Sequence, residues 1–167
     1  MDEGLLLARI ALGLLMAAHG AQKLFGWFGG YGLDGTAGFF EGLGFRPGRL
    51  FVVSAAASEI VSGLFLAAGF FTPLAAALMV SVMVVAAISV HLPNGVFAQN
   101  NGIELPLVYG VVAAAIALTG PGAYSVDAAA GLTALWTPTL AWSVLALAVI
   151  GGFGNLALRR QTQTASA

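Results

Sequence analysis

Two charged residues lie where an apolar sequence tolerates charge least. Arg9 stands little more than one turn into an apolar run that begins near Gly4, and Glu59 lies near the middle of another that begins near Arg49. A charge in hydrocarbon is costly enough that each such residue needs a partner or a task. An arginine stem extends one to two turns along a helix, so Arg9 is expected to pair with Glu59. That pair has two readings, a bidentate ion pair that registers two helices or a site of proton chemistry involving Glu59.

A second group gathers at the far end of the first run. His19, Gln22 and Lys23 recur at spacings of three and four, which places them on one side of a helix. His91 closes a later apolar run at the same expected depth, and Gln99, Asn100, Asn101 and Glu104 open the next. Histidine beside a carboxylate and amides can hold a quinone headgroup and pass protons. The candidate catalytic residues are therefore His19, Lys23, Glu59, His91 and Glu104, and the candidate quinone contacts are His19, Gln22 and His91. Each also has a structural reading. Lys23 can snorkel to lipid phosphates, His91 can complement a helix C-terminus, and Glu104 can complete a capping box with Asn101. Two histidines on separate helices are also a minimal axial pair for haem, but no other feature supports that. The histidines and carboxylates lack metal-ligand spacing. Gly29-Gly30-Tyr31-Gly32 has neither the strand nor the lysine of a phosphate loop. The chain has no cysteine, which excludes a disulfide framework, a dithiol redox pair and iron–sulfur ligation by its own thiolates.

These residues sit in a chain that is 59% hydrophobic and 8% charged, with a mean hydropathy of +0.95. A soluble fold of 167 residues needs a polar shell that such a composition cannot supply. The apolar runs are long and lack period-two alternation, so membrane-spanning helices are expected rather than a barrel. Five are expected, over residues 4–25, 49–70, 73–92, 102–118 and 138–158. Thr72-Pro73 and Thr137-Pro138 each read as a capping hydroxyl before a first-turn proline, and Asn101 with Glu104 as a capping box. Small residues at four-residue spacing (Gly13/Ala17/Ala21, Ser58/Ser62, Ala113/Ala117) read as packing seams. The connection 26–48 is rich in aromatics and glycine and suits the lipid–water interface, with a short interfacial helix over 36–43. The start of the chain lacks the basic region and small-residue cleavage site of a secretory signal, so the first run is expected to remain as a spanning helix. Five crossings put Lys23, Arg46, Arg49, Arg159 and Arg160 on one side, which predicts a cytoplasmic C-terminus and an outside N-terminus. A net charge of −1 carries no nucleic-acid footprint.

Several segments together resemble the DoxX family of small membrane proteins. The first helix reads Leu7-Ala8-Arg9 through His19-Gly20-Ala21-Gln22-Lys23, similar to that family's opening arginine followed by histidine-glycine and lysine. Glu59-Ile60-Val61-Ser62-Gly63, Gly69-Phe70-Phe71-Thr72-Pro73, His91 and the segment from Gly120 to Asp127 continue the likeness, although Ala123 stands where a basic residue is common. The resemblance covers residues 5–127. It implies an all-α integral membrane protein of the bacterial plasma membrane, with a four-helix transmembrane bundle in residues 1–127. Residues 128–167 are then a linker, an extra C-terminal transmembrane helix and a polar tail. It further implies a quinone-linked or thiol- and oxidative-stress-linked redox role, with quinone as cofactor and superoxide dismutase- or sulfurtransferase-type soluble enzymes as partners. Two other roles stay open: a non-catalytic anchor or assembly module for such enzymes, and a small-solute transporter, which at this length would work as a homo-oligomer.

Overall fold

In hydrocarbon every backbone polar group must be satisfied within its own segment, and the apolar runs meet that demand as helices. The structure, a computed structural model, describes residues 2–160. Its main helices are α1 (Asp2–Phe25), α2 (Gly32–Gly42), α3 (Gly48–Ala68), α4 (Thr72–Ala86), α5 (Glu104–Thr119), α6 (Val126–Ala129) and α7 (Pro138–Ala157). A π-helical turn, Ala87–His91, continues α4. There is no strand among the described residues. The expected polar tail over 161–167 lies outside them.

Four helices are long and apolar enough to cross a membrane: Asp2–Phe25, Gly48–Ala68, Thr72–Asn94 and Pro138–Ala157. α5 is shorter, about 24 Å at 1.5 Å per residue, yet it runs from one end of the bundle to the other. It starts where His91 meets Asn101 and ends at the loop that reaches Arg9. Leu7, Leu14, Leu147 and Ile150 point outward and are more than half exposed, as lipid-facing residues should be.

α1 and α3 pack antiparallel at close range. A Cβ on Gly13 would meet Ala67 N at 2.7 Å, and one on Gly63 would meet Ala17 N at 2.7 Å. Gly20 lies against Ala56 and Ile60 in the same way. This is the small-residue packing that drives helix association in membranes. α4 is central and touches α3, α5 and α7. Met16, Leu66, Met79, Ala113, Ile116 and Leu145 form the core between them. α2 begins a turn earlier than expected and lies across α1 and α3 at one end. At that end Arg159 Nε donates to Leu43 O at 2.8 Å and Arg160 N to Gly44 O at 2.8 Å. All five basic residues other than Arg9 therefore share one end of the bundle.

The opposite end is closed by the loop after α5. Arg9, 1% exposed, donates to Pro121 O at 2.6 Å and to Tyr124 O at 2.5 Å. The expected Arg9–Glu59 pair does not form. The α1–α3 register sets Arg9 against Gly69, whose missing side chain leaves room for the guanidinium, and sets Glu59 near the turn that holds His19 and Lys23. Two caps also differ from expectation. α4 is capped by Asp127, which accepts from Phe71 N at 2.8 Å and Thr72 N at 2.9 Å, while the Thr72 hydroxyl is buried without a partner. Asn101 and Glu104 form no capping box, because Asn101 adopts a left-handed conformation outside α5 and Glu104 accepts instead from Ala98 N at 2.7 Å. Thr137 caps α7 through Leu140 N at 3.2 Å, as its position before proline predicts.

Candidate functional site

Lys23 reaches inward from the last turn of α1 rather than outward to lipid. Its ammonium donates to Glu59 Oε1 in a salt bridge whose carboxylate side is 3% exposed. The other carboxylate oxygen, Oε2, is buried with no hydrogen-bond partner. A buried ion pair compensates its desolvation only when the remaining lone pairs are also satisfied, so this pair is half finished.

The pair forms one wall of a cavity of about 460 Å³ between α3, α4 and α7, roofed by α2 and the turn after it. Phe39, Phe40 and Phe45 supply the apolar roof, and Phe51 on α3 adds to it from the wall. Ser54 and Ser58 on α3, Ser81 on α4 and Asn155 on α7 set hydroxyls and an amide into the walls, and Ser89 of the π turn lines them while its hydroxyl donates to Val85 O at 2.6 Å. His91 closes the rim from the π turn, a distortion that recurs at functional sites. Its Nδ1 lies 2.8 Å from Asn101 O. A carbonyl can only accept, so Nδ1 carries the proton and Nε2 is the nitrogen left over. The size and the mixture of an apolar lining with a few polar groups suit a small amphipathic ligand.

A second cavity, about 490 Å³, lies on the other side of Lys23 and shares Lys23, Phe39 and Phe40 with the first. His19 and Gln22 line it with Gly29, Gly30, Tyr31 and Thr36. His19 Nδ1 sits 3.2 Å from Gln22 Oε1, and Gln22 Nε2 donates to Phe28 O at 3.3 Å, which orients the amide and places the proton on Nδ1. The His19 ring also meets Tyr109 edge-on at 5.9 Å.

The expected cluster is thus divided. Lys23, Glu59 and His91 share the first cavity, and His19 and Gln22 join Lys23 in the second. His19 and His91 line different cavities. Glu104 lines neither cavity and ties down the 95–104 loop.

The DoxX family model matches residues 4–92, more than half of the chain. The chain belongs to the DoxX family. As a DoxX protein with four long apolar helices it is a multi-pass membrane protein. The match takes in α1 to α4 and His91, and so every helix that carries Lys23, Glu59 or the cavity serines. No curated protein and no solved structure matches the chain.

Sequence reasoning gave no site role to the serines, Asn155 or Asp127. Ser58 and Ser62 read together as a packing seam, but only Ser62 is fully buried, donating to Glu59 O at 3.3 Å, whereas Ser58 lines the cavity. The available signal was Ser54 with Ser58, one turn apart on the second expected helix, and Ser81 with Ser89, two turns apart on the third, in otherwise apolar runs.

Proposed function

We propose that this DoxX protein is a membrane redox component that receives a quinone-type headgroup in the cavity beside the Lys23–Glu59 pair. One observation carries the reading: an ion pair with an unfinished carboxylate, set in the wall of a hydroxyl-studded cavity inside an apolar bundle. Structural ion pairs are normally finished by their own protein. Interconversion of a quinone and its hydroquinone moves two electrons and two protons. His91 and the Lys23–Glu59 pair serve the proton side, and a soluble redox enzyme exchanges the electrons, since a chain without cysteine has no dithiol of its own. His19 and Gln22 act from the second cavity, which shares Lys23 and leads toward the basic end of the bundle. That end faces the cytoplasm of a plasma-membrane protein, in keeping with its arginines.

The test is native mass spectrometry after gentle extraction. Wild type is expected to retain a quinone mass, and Ser58→Phe, which fills the cavity, is expected to lose it while keeping its thermal stability. A clean apo mass for wild type overturns the reading.

A second reading has its own observation. Trp27, Phe28 and Tyr31 are 59%, 71% and 88% exposed, and Phe28 is held at a φ of 55°. Strain that presents an aromatic outward suits a docking surface for a soluble redox enzyme, and the chain then acts as an anchor. Replacing Trp27, Phe28 and Tyr31 by serine would release the partner from the membrane fraction under this reading and leave it bound under the first.

A further inference from the structure

We infer that the cavity takes its ligand in a hydrogen-bond-donating form, a phenolic or hydroquinone hydroxyl rather than an oxidised quinone carbonyl. This rests on the reading of the cavity as a headgroup site and adds which redox form it holds. The first constraint is Glu59. Its Oε1 accepts from Lys23, and its Oε2 has no partner although the side chain is all but buried. An ionised carboxylate only accepts hydrogen bonds, so what completes this one must donate. No other described group does so, and the neighbouring Ser62 hydroxyl turns to the Glu59 backbone carbonyl instead.

Lys23 narrows the choice. Its ammonium has three hydrogens and gives one to Glu59 Oε1, so a ligand oxygen at this wall meets a donor, and an acceptor once the carboxylate turns toward it. A hydroxyl answers both, accepting from Lys23 and donating to Oε2. A quinone carbonyl answers only the first and sets its lone pairs against an unpaired carboxylate oxygen in a low-dielectric wall, which is costly. Oε2 is buried, so a ligand reaches it by a turn of the carboxylate about its soft terminal torsion, with the flexible Lys23 stem following the carboxylate. Phe39, Phe40, Phe45 and Phe51 then pack the ring.

The experiment is anaerobic equilibrium dialysis of the full chain in lipid nanodiscs against three probes of similar size. These are trimethylhydroquinone, its oxidised trimethylbenzoquinone, and trimethylphenol, which donates but does not cycle. Wild type is expected to bind the hydroquinone and the phenol about ten-fold more tightly than the quinone, the worth of one charge-assisted hydrogen bond. In Glu59→Gln, whose amide can also donate to a carbonyl, the gap is expected to close. Lys23→Gln/Glu59→Gln keeps a neutral hydrogen-bonded pair and serves in its place if the single variant fails to fold. Equal or tighter binding of the quinone to wild type overturns the donor preference and leaves the headgroup site standing. An unchanged gap in the Glu59 variant also overturns it. Binding of none of the probes overturns both.

Discussion

Lys23 and Glu59 are joined across the α1–α3 interface, and the worth of that contact depends on what is removed. Lys23→Met strands a carboxylate inside the bundle and is expected to cost about 3 kcal/mol or more, seen as a large drop in the melting temperature of the detergent-solubilised protein. Lys23→Met/Glu59→Leu removes both charges and is expected to recover most of that loss. A double variant as unstable as the single would show that the pair is not the coupled unit described. From the sequence, the charges were visible but their partners were not. Arg9 and Glu59 read as a pair because both sit in apolar runs; the partners follow from register, and register depends on which small residues touch. Gly13, Gly20 and Gly63 held that information, since a glycine at a helix contact marks where two backbones come closest. Aligning them puts Glu59 beside the His19–Lys23 turn and leaves Arg9 to the distant loop.

Helices and their ends were more legible, because they depend on local chemistry. The five apolar runs became helices near the expected residues, and Thr137-Pro138 opened α7 as such a pair should. Thr72-Pro73 misled because the capping group came from 55 positions away, and no local pattern points to Asp127. Asp127→Ala leaves two N–H groups at the start of α4 without an acceptor and is expected to cost about 2 kcal/mol. Faster amide exchange at Phe71 and Thr72 than elsewhere in α4 would locate the damage, and unchanged exchange there would rule the cap out. At the α1–α3 contact, Gly63→Leu places a side chain where Gly13 and Ala17 backbone already lie. It is expected to prevent folding of the bundle, measured as loss of a monodisperse peak on extraction, whereas Gly38→Ala, with open space around it, is expected to leave that peak unchanged.

Over the whole molecule, the topology makes a prediction that the absence of cysteine makes easy to read. Tyr31→Cys and Leu158→Cys lie at the basic end, and Tyr124→Cys lies at the Arg9 end; all three positions are exposed. A membrane-impermeant maleimide applied to intact cells is expected to label Tyr124→Cys alone, and the pattern should reverse in inverted vesicles. Labelling of Tyr31→Cys and Leu158→Cys from opposite sides would contradict the fold, since Arg160 is hydrogen-bonded to Gly44 beside α2. Labelling of both from outside would invert the proposed orientation without touching the fold. Arg9 also bears on synthesis. Its acceptors, Pro121 and Tyr124, lie more than a hundred residues later in the chain. While the ribosome is still producing α3 to α5, the first helix holds an arginine whose partners do not yet exist. Until then Arg9, close to the start of α1, is left to snorkel to the interface, and a chain cut short before Pro121 is expected to be degraded faster than the full chain.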